Sequence, residues 1–133
     1  MADARAADAV VAAARSAIGV RFRLHGRDPV TGLDCVGLAA FALGEGAVPS
    51  GYAMRGGDGA RIAALIDARG LVRCREAQAG DLLLCASGPG QLHLAIDSGG
   101  GIIHADAMLR RVVERPGPVP WPVLGRWRQG REG

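Results

Sequence analysis

Three residues in this 133-residue chain have the types that nucleophilic acyl transfer needs: Cys35, His93 and His104. Cys35 follows Asp34, where a turn-rich stretch gives way to the apolar run Val36 to Leu43. Asp is a favoured helix N-cap, so the spacing predicts Cys35 in the first turn of a helix. Unpaired main-chain N–H groups and the positive end of the helix dipole favour negative charge there. A thiol so placed is expected to titrate below its ordinary pKa of about 8.5. Gly37 leaves that turn without a side chain, which is expected to open the sulfur to a substrate. Taken alone, a lone cysteine is more simply a small buried hydrophobe. The two histidines weigh against that account.

His93 and His104 flank a candidate hairpin. With Ser98-Gly99 as a two-residue turn, Asp97 opposes Gly100, Ala95 opposes Ile102 and His93 opposes His104. Side chains alternate along a strand, so Leu94, Ile96 and Ile103 face the core while His93, Ala95 and His104 face the other way. Directly opposed residues have Cβ atoms about 4.5–5.5 Å apart, close enough for two imidazoles to interact. Such a pair offers a base, His93, for the Cys35 proton and a partner, His104, that fixes its tautomer and angle. Three cysteines and three histidines raise the question of zinc, but no pair has ligand spacing, and no metal is expected. No other cofactor is expected either, since the glycines lack the strand–helix context of a nucleotide-binding loop. Cys74 and Cys85 fall in strand candidates and are expected in the core, and His25 on a loop surface.

The elements that must position these groups read as helices first and strands afterwards. Residues 3 to 18 form an amphipathic helix with Val10, Val11, Ala14 and Ile18 on its apolar stripe and Gly19 after its end. A loop follows over 20 to 33, then the Cys35 helix to about Gly44. A glycine-rich loop of the length that is often functional covers 44 to 57. Asp58 caps a further helix with Ile62, Leu65 and Ile66 on one face and Gly70 at its end. Strands are predicted at 71–75, 81–86, 92–97, 102–106, 111–115 and 123–128, each bounded by Gly or Pro. Pro116-Gly117-Pro118-Val119-Pro120 reads as a stiff connector. This order implies an α+β fold, N-terminal helices packed on an antiparallel sheet, in one domain over 1–133.

Composition narrows the function. Apolar residues make up 49% and charged residues 22%, an ordinary globular balance. The net charge of +3 is too small to imply nucleic-acid binding. All 16 basic residues are arginine, a bias that fits codon usage better than a binding surface. The segment Arg126-Trp127-Arg128-Gln129-Gly130-Arg131 reads as a solvated tail. No stretch approaches the roughly 20 apolar residues of a membrane span. The acidic first residues lack the basic region of a secretory signal, so synthesis in the cytoplasm is expected.

Taken in order, Arg21-Phe22-Arg23-Leu24-His25-Gly26, Asp34-Cys35-Val36-Gly37-Leu38, Ala79-Gly80-Asp81-Leu82-Leu83, His93-Leu94-Ala95-Ile96 and Ile103-His104-Ala105 resemble the NlpC/p60 family of cysteine peptidases. The phage-type and gene-transfer-agent branch is the nearest likeness, over about residues 8 to 128. The resemblance implies a papain-like α+β fold and hydrolysis of bacterial cell-wall stem peptides between D-γ-glutamate and diaminopimelate. It also implies Cys35 as nucleophile, His93 as base and His104 as orienting residue, with Asp34, Phe22, Val36 and Gly37 at the substrate. Virion or tail association and tail-like protein partners follow from the branch. Many members have Tyr at position 22 and Ser at position 36; here Phe22 and Val36 carry no hydroxyl. A tail-assembly protein with little activity, or a thiol amidase or acyltransferase, would need the same residues.

Overall fold

The computed structural model describes residues 2–44, 46–48, 54 and 56–129. Helix α1 spans Ala2–Ser16, α2 Cys35–Leu43 and α3 Gly59–Asp67. The strands are β1 Arg27–Asp28, β2 Gly32–Leu33, β3 Leu71–Arg73, β4 Leu82–Gly88, β5 Gln91–Asp97, β6 Gly101–Asp106, β7 Arg111–Pro116 and β8 Val123–Gln129. β1 and β2 form a small hairpin, and the other six make one antiparallel sheet in the order β3-β8-β4-β5-β6-β7. The α+β expectation holds.

The sheet has two apolar faces of unequal size. On one, Leu82, Leu84, Leu94, Ile96, Ile103, Ala105, Val112 and Trp127 meet the helices in the main core. Seven of the nine residues of α2 are buried there. A nine-residue helix is too short to persist alone in water, so burial rather than propensity holds it. On the other face, Leu83, Cys85, Ala95 and Ile102 pack with Val119 and Trp121. Those two come from the Pro-rich connector between β7 and β8, which crosses the sheet because β7 is an edge strand and β8 lies between β3 and β4. No helix among the described residues is long and apolar enough to cross a membrane.

Several expectations need correction. Ile18 is 44% exposed although Val10, Val11 and Ala14 are buried. The helix tightens at its end, with Ala17 N–H donating to Ala14 and Ile18 N–H to Arg15, and this three-residue phase turns Ala17 inward instead. In α3, Ile62, Ala63 and Ile66 form the buried stripe, and Leu65 flanks it. The 20–33 stretch is more than a loop: it holds β1 and β2, Gly19 and Val20 bond to Val112 on the outer edge of β7, and the Phe22 N–H reaches Arg110 O just before that strand. The 44–57 loop lies partly outside the described residues. Arg126 to Gln129 are no solvated tail, since Trp127 is fully buried in β8 and Arg126 and Arg128 are ion-paired, while residues 130 and 131 lie outside the described residues.

The β5–β6 register also differs. Ile96 pairs with Ile103 and Asp97 with Ile102, so four residues lie between the last paired positions where two were expected. Asp97 Oδ1 accepts the Gly99 N–H at 2.8 Å, and Ser98 N–H reaches Gly101 O at 2.9 Å. That side-chain turn takes up the two extra residues. The slip is even, so each residue keeps the face expected of it.

Candidate active site

The start of α2 is fastened by Asp34. One carboxylate oxygen accepts the Gly37 N–H at 2.8 Å and lies 2.7 Å from Arg27 Nη1. The other accepts the His25 N–H at 2.8 Å. The expected cap is present, but the carboxylate also gathers in the loop before it. His25 itself is exposed and has a positive φ of 63°, so its main chain, not its ring, serves the site. Gly37 serves a different purpose from the one expected. A Cβ there would run into the Gly26 carbonyl oxygen, so the missing side chain lets the 23–34 loop lie against the helix. Val36 is likewise turned into the main core at 5% exposure, because its position in α2 faces the sheet. Phe22 is half-buried against the same core.

Cys35 sits at the first position of α2 and is 9% exposed. Its thiol is pushed up to about 11 rather than down. Burial is the main cause, and the Asp34 carboxylate adds to it. The Leu94 and Val36 N–H groups and Arg27 oppose them without prevailing. Seating the sulfur against the sheet brings a desolvation that outweighs the pull of the helix terminus. The contact with the Leu94 N–H places that sulfur beside the 93–94 peptide.

β6 leaves β5 after Ile96 and Ile103, and the two histidines meet across the opening. His93 Nε2 lies 2.9 Å from His104 Nδ1, and the rings are nearly perpendicular, with centroids 5.1 Å apart. One nitrogen donates and the other accepts, which leaves His93 Nδ1 for another partner. His104 is 4% exposed. His93 is pushed down to about 4, first by burial, then by its neighbour His104, with Asp106 pulling the other way. His104 is also lowered, by burial and by Arg115, against Asp106. At neutral pH the free site therefore holds a thiol and two neutral imidazoles.

Three neighbours were not anticipated. Arg27 neutralises Asp34, Trp121 packs on both histidines, and Cys85 is the cross-strand partner of His93 on β4. Cys85 is fully buried in the smaller core and pushed up to about 12, mainly by burial, so it is no rival nucleophile. Cys74 lies one residue beyond β3, half-buried, with its Sγ 3.6 Å from Arg126 O. The Pro-rich run was the only sequence signal for Trp121, and it marks stiffness without a destination.

No protein-family model matches the sequence, and no curated protein matches it. Solved structures do. The NlpC/p60 domain of the peptidoglycan hydrolase SagA is 29% identical, with 83% of this chain and 88% of that chain covered and a TM-score of 0.57. NlpC1 from Trichomonas vaginalis is 21% identical over 92% of this chain and 43% of its own, with a TM-score of 0.67. The peptidoglycan hydrolase RipB from Mycobacterium tuberculosis is 24% identical over 96% and 65%, with a TM-score of 0.61. This chain thus spans most of the SagA domain and less than half of the Trichomonas protein. Its fold is the papain-like α+β fold of NlpC/p60 domains.

Proposed function

We propose that this chain is a cysteine endopeptidase of the NlpC/p60 type, one domain over residues 1–133, acting on peptidoglycan stem peptides. The bond we assign is D-γ-glutamyl–diaminopimelate, and delivery to the wall by a phage-tail-like particle fits the branch its motifs resemble. The observation that carries the reading is the His93–His104 contact at 2.9 Å, on the strand whose Leu94 N–H, next to His93, meets the Cys35 thiol. The 29% identity to the domain of a peptidoglycan hydrolase supports the choice of substrate.

In this reading Cys35 attacks the γ-glutamyl carbonyl carbon. The Sγ–C bond forms as the thiol proton passes to His93 Nδ1, and His104 holds the far side of that ring. A thiol near 11 and an imidazole near 4 disfavour a preformed ion pair, so the proton moves in concert with the attack. The Cys35 N–H, unpaired by its place in the first helical turn, receives the oxyanion. Collapse breaks the C–N bond, and imidazolium His93 protonates the departing amine. Water, deprotonated by His93, then cleaves the thioester and releases the γ-glutamyl carboxylate.

Digestion of purified peptidoglycan followed by mass analysis tests this. The wild type should release fragments with a new diaminopimelate amino terminus. Cys35→Ala and His93→Ala should lose at least about 1,000-fold in rate, on the scale of losing a nucleophile or its base. His104→Gln should keep part of the activity, because an amide can still hold the ring. Absence of wild-type products, or full activity in Cys35→Ala, would end the proposal.

A further inference from the structure

We propose that Trp121 is a positioning residue of the histidine pair: its indole fixes the planes of both imidazoles and stands where water would otherwise reach them. The backbone cannot do this alone. The β5–β6 ladder ends at Ile96 and Ile103, so no strand pairing there ties His93 to His104. Their relation rests on the 2.9 Å ring contact and on what packs around it. The Trp121 ring centroid lies 5.2 Å from that of His93 and 5.4 Å from that of His104, at interplanar angles of 82° and 79°. With the two histidines at 89° to each other, three rings meet edge to face. This is the preferred geometry of paired aromatic rings.

The connector that carries Trp121 is built to stay in place. Prolines at 116, 118, 120 and 122 restrict its backbone, which lowers the entropy lost on ordering it. Gly117 N–H bonds to Gly100 O at 2.8 Å, and Ala86 N–H to Pro122 O at 3.0 Å, so both ends are fastened to the sheet. Val119 and Trp121 then cover Leu83, Cys85, Ala95 and Ile102. The groups that could tune the histidines around this cover are Asp106 and Arg115 beside His104, Cys85 across from His93, and Cys35 at the 93–94 peptide. Asp106 favours protonation and Arg115 opposes it, leaving the dry apolar cover as the larger influence.

The inference rests on the proposed roles of the histidines only for its kinetic readout. In a Cys35→Ala background, the imidazole protons are titrated by NMR in otherwise unchanged protein and in Trp121→Leu and Trp121→Phe. Trp121→Leu should raise the His93 midpoint from about 4 by at least about one unit toward the ordinary 6.5. Trp121→Phe should restore most of the difference. In the Cys35-containing enzyme, Trp121→Leu should move the acid limb of kcat/KM up by the same amount. It should also lower kcat about 10- to 100-fold, with KM within about twofold. Midpoints that stay put in folded Trp121→Leu, or in Trp121→Met should the first variant not fold, would overturn the assignment. A wild type inactive on cell wall would defeat the proposed function and leave the titration to decide the role of Trp121.

Discussion

At the start of β5, half-buried His93 packs with buried His104 against Trp121; at its end, Asp97 is buried with Asp81 beneath Arg126 and Arg128. Arg126 Nη1 lies 2.8 Å from a carboxylate oxygen of each aspartate, and Arg128 Nε lies 3.0 Å from the other Asp81 oxygen. Burial penalises charge in both places. At the histidines Asp106 opposes it without prevailing, and the rings stay neutral. At the arginines burial also works against the charge, but the aspartates outweigh it and hold both guanidiniums above their ordinary value. Loss of water is common to the two clusters; the partner decides the charge state. A neutral, poised pair suits proton transfer, whereas a closed ion network suits tying β4, β5 and β8 together.

Breaking the charged cluster should have the larger effect on stability. Asp81→Ala leaves Arg128 without its carboxylate and Arg126 with Asp97 alone, and removing one member of a buried ion pair costs about 3–5 kcal/mol. Urea unfolding should register that loss, while the His93 titration should not move. A loss under about 1 kcal/mol would mean that water replaces the carboxylate readily, and the contrast between the clusters would fail.

The neutral cluster should appear in the pH dependence of stability. His93 and His104 bind protons less readily when folded, so the unfolded chain takes them up first as pH falls. Their contribution is complete above about 6.5 and drains away as pH falls toward about 4, where His93 itself protonates. Asp67, lowered by its Trp127 hydrogen bond, and Glu114, lowered by Arg15, lose their contributions only below their ordinary carboxylate range. The melting temperature should therefore fall in two stages. Exchanging both histidines for Gln should flatten the upper stage alone. A single fall confined to pH below 4 would show that the histidines are not held neutral.

The order of helices and strands was legible because apolar periodicity and Gly or Pro boundaries are local signals. The histidine face was legible too, despite a register off by two, because an even slip preserves sidedness. What escaped the sequence depends on contacts made through the fold. Desolvation of Cys35 requires knowing that its helix is pressed onto β5. Trp121 meets His93 only because β7 ends at an edge and the chain must return over the sheet. Val36 and Gly37 were read from their distance to Cys35 along the chain, but one faces the core and the other admits the Gly26 carbonyl.

The smallest expected effect concerns Asp34, whose partners separate this site from those it resembles. There a Tyr and a Ser hydroxyl can join the aspartate in gripping a free amine on the substrate; here Phe22 and Val36 offer none. Asp34 is already engaged by the Gly37 and His25 N–H groups and by Arg27 at 2.7 Å. An incoming ammonium would have to displace Arg27 or remain short of acceptors, and a poorly paired buried charge is costly. Stem peptides still attached to the glycan strand should therefore be cleaved about as well as free ones, with kcat/KM values within about threefold of each other. Matched muropeptides with and without the sugar, assayed at equal concentration, measure this ratio. Arg27→Ala sharpens the test, because freeing Asp34 should create a preference for the free amine. A wild-type preference of tenfold or more would mean that the ammonium competes with Arg27 after all, and the proposal of an enzyme that opens intact wall would have to be withdrawn.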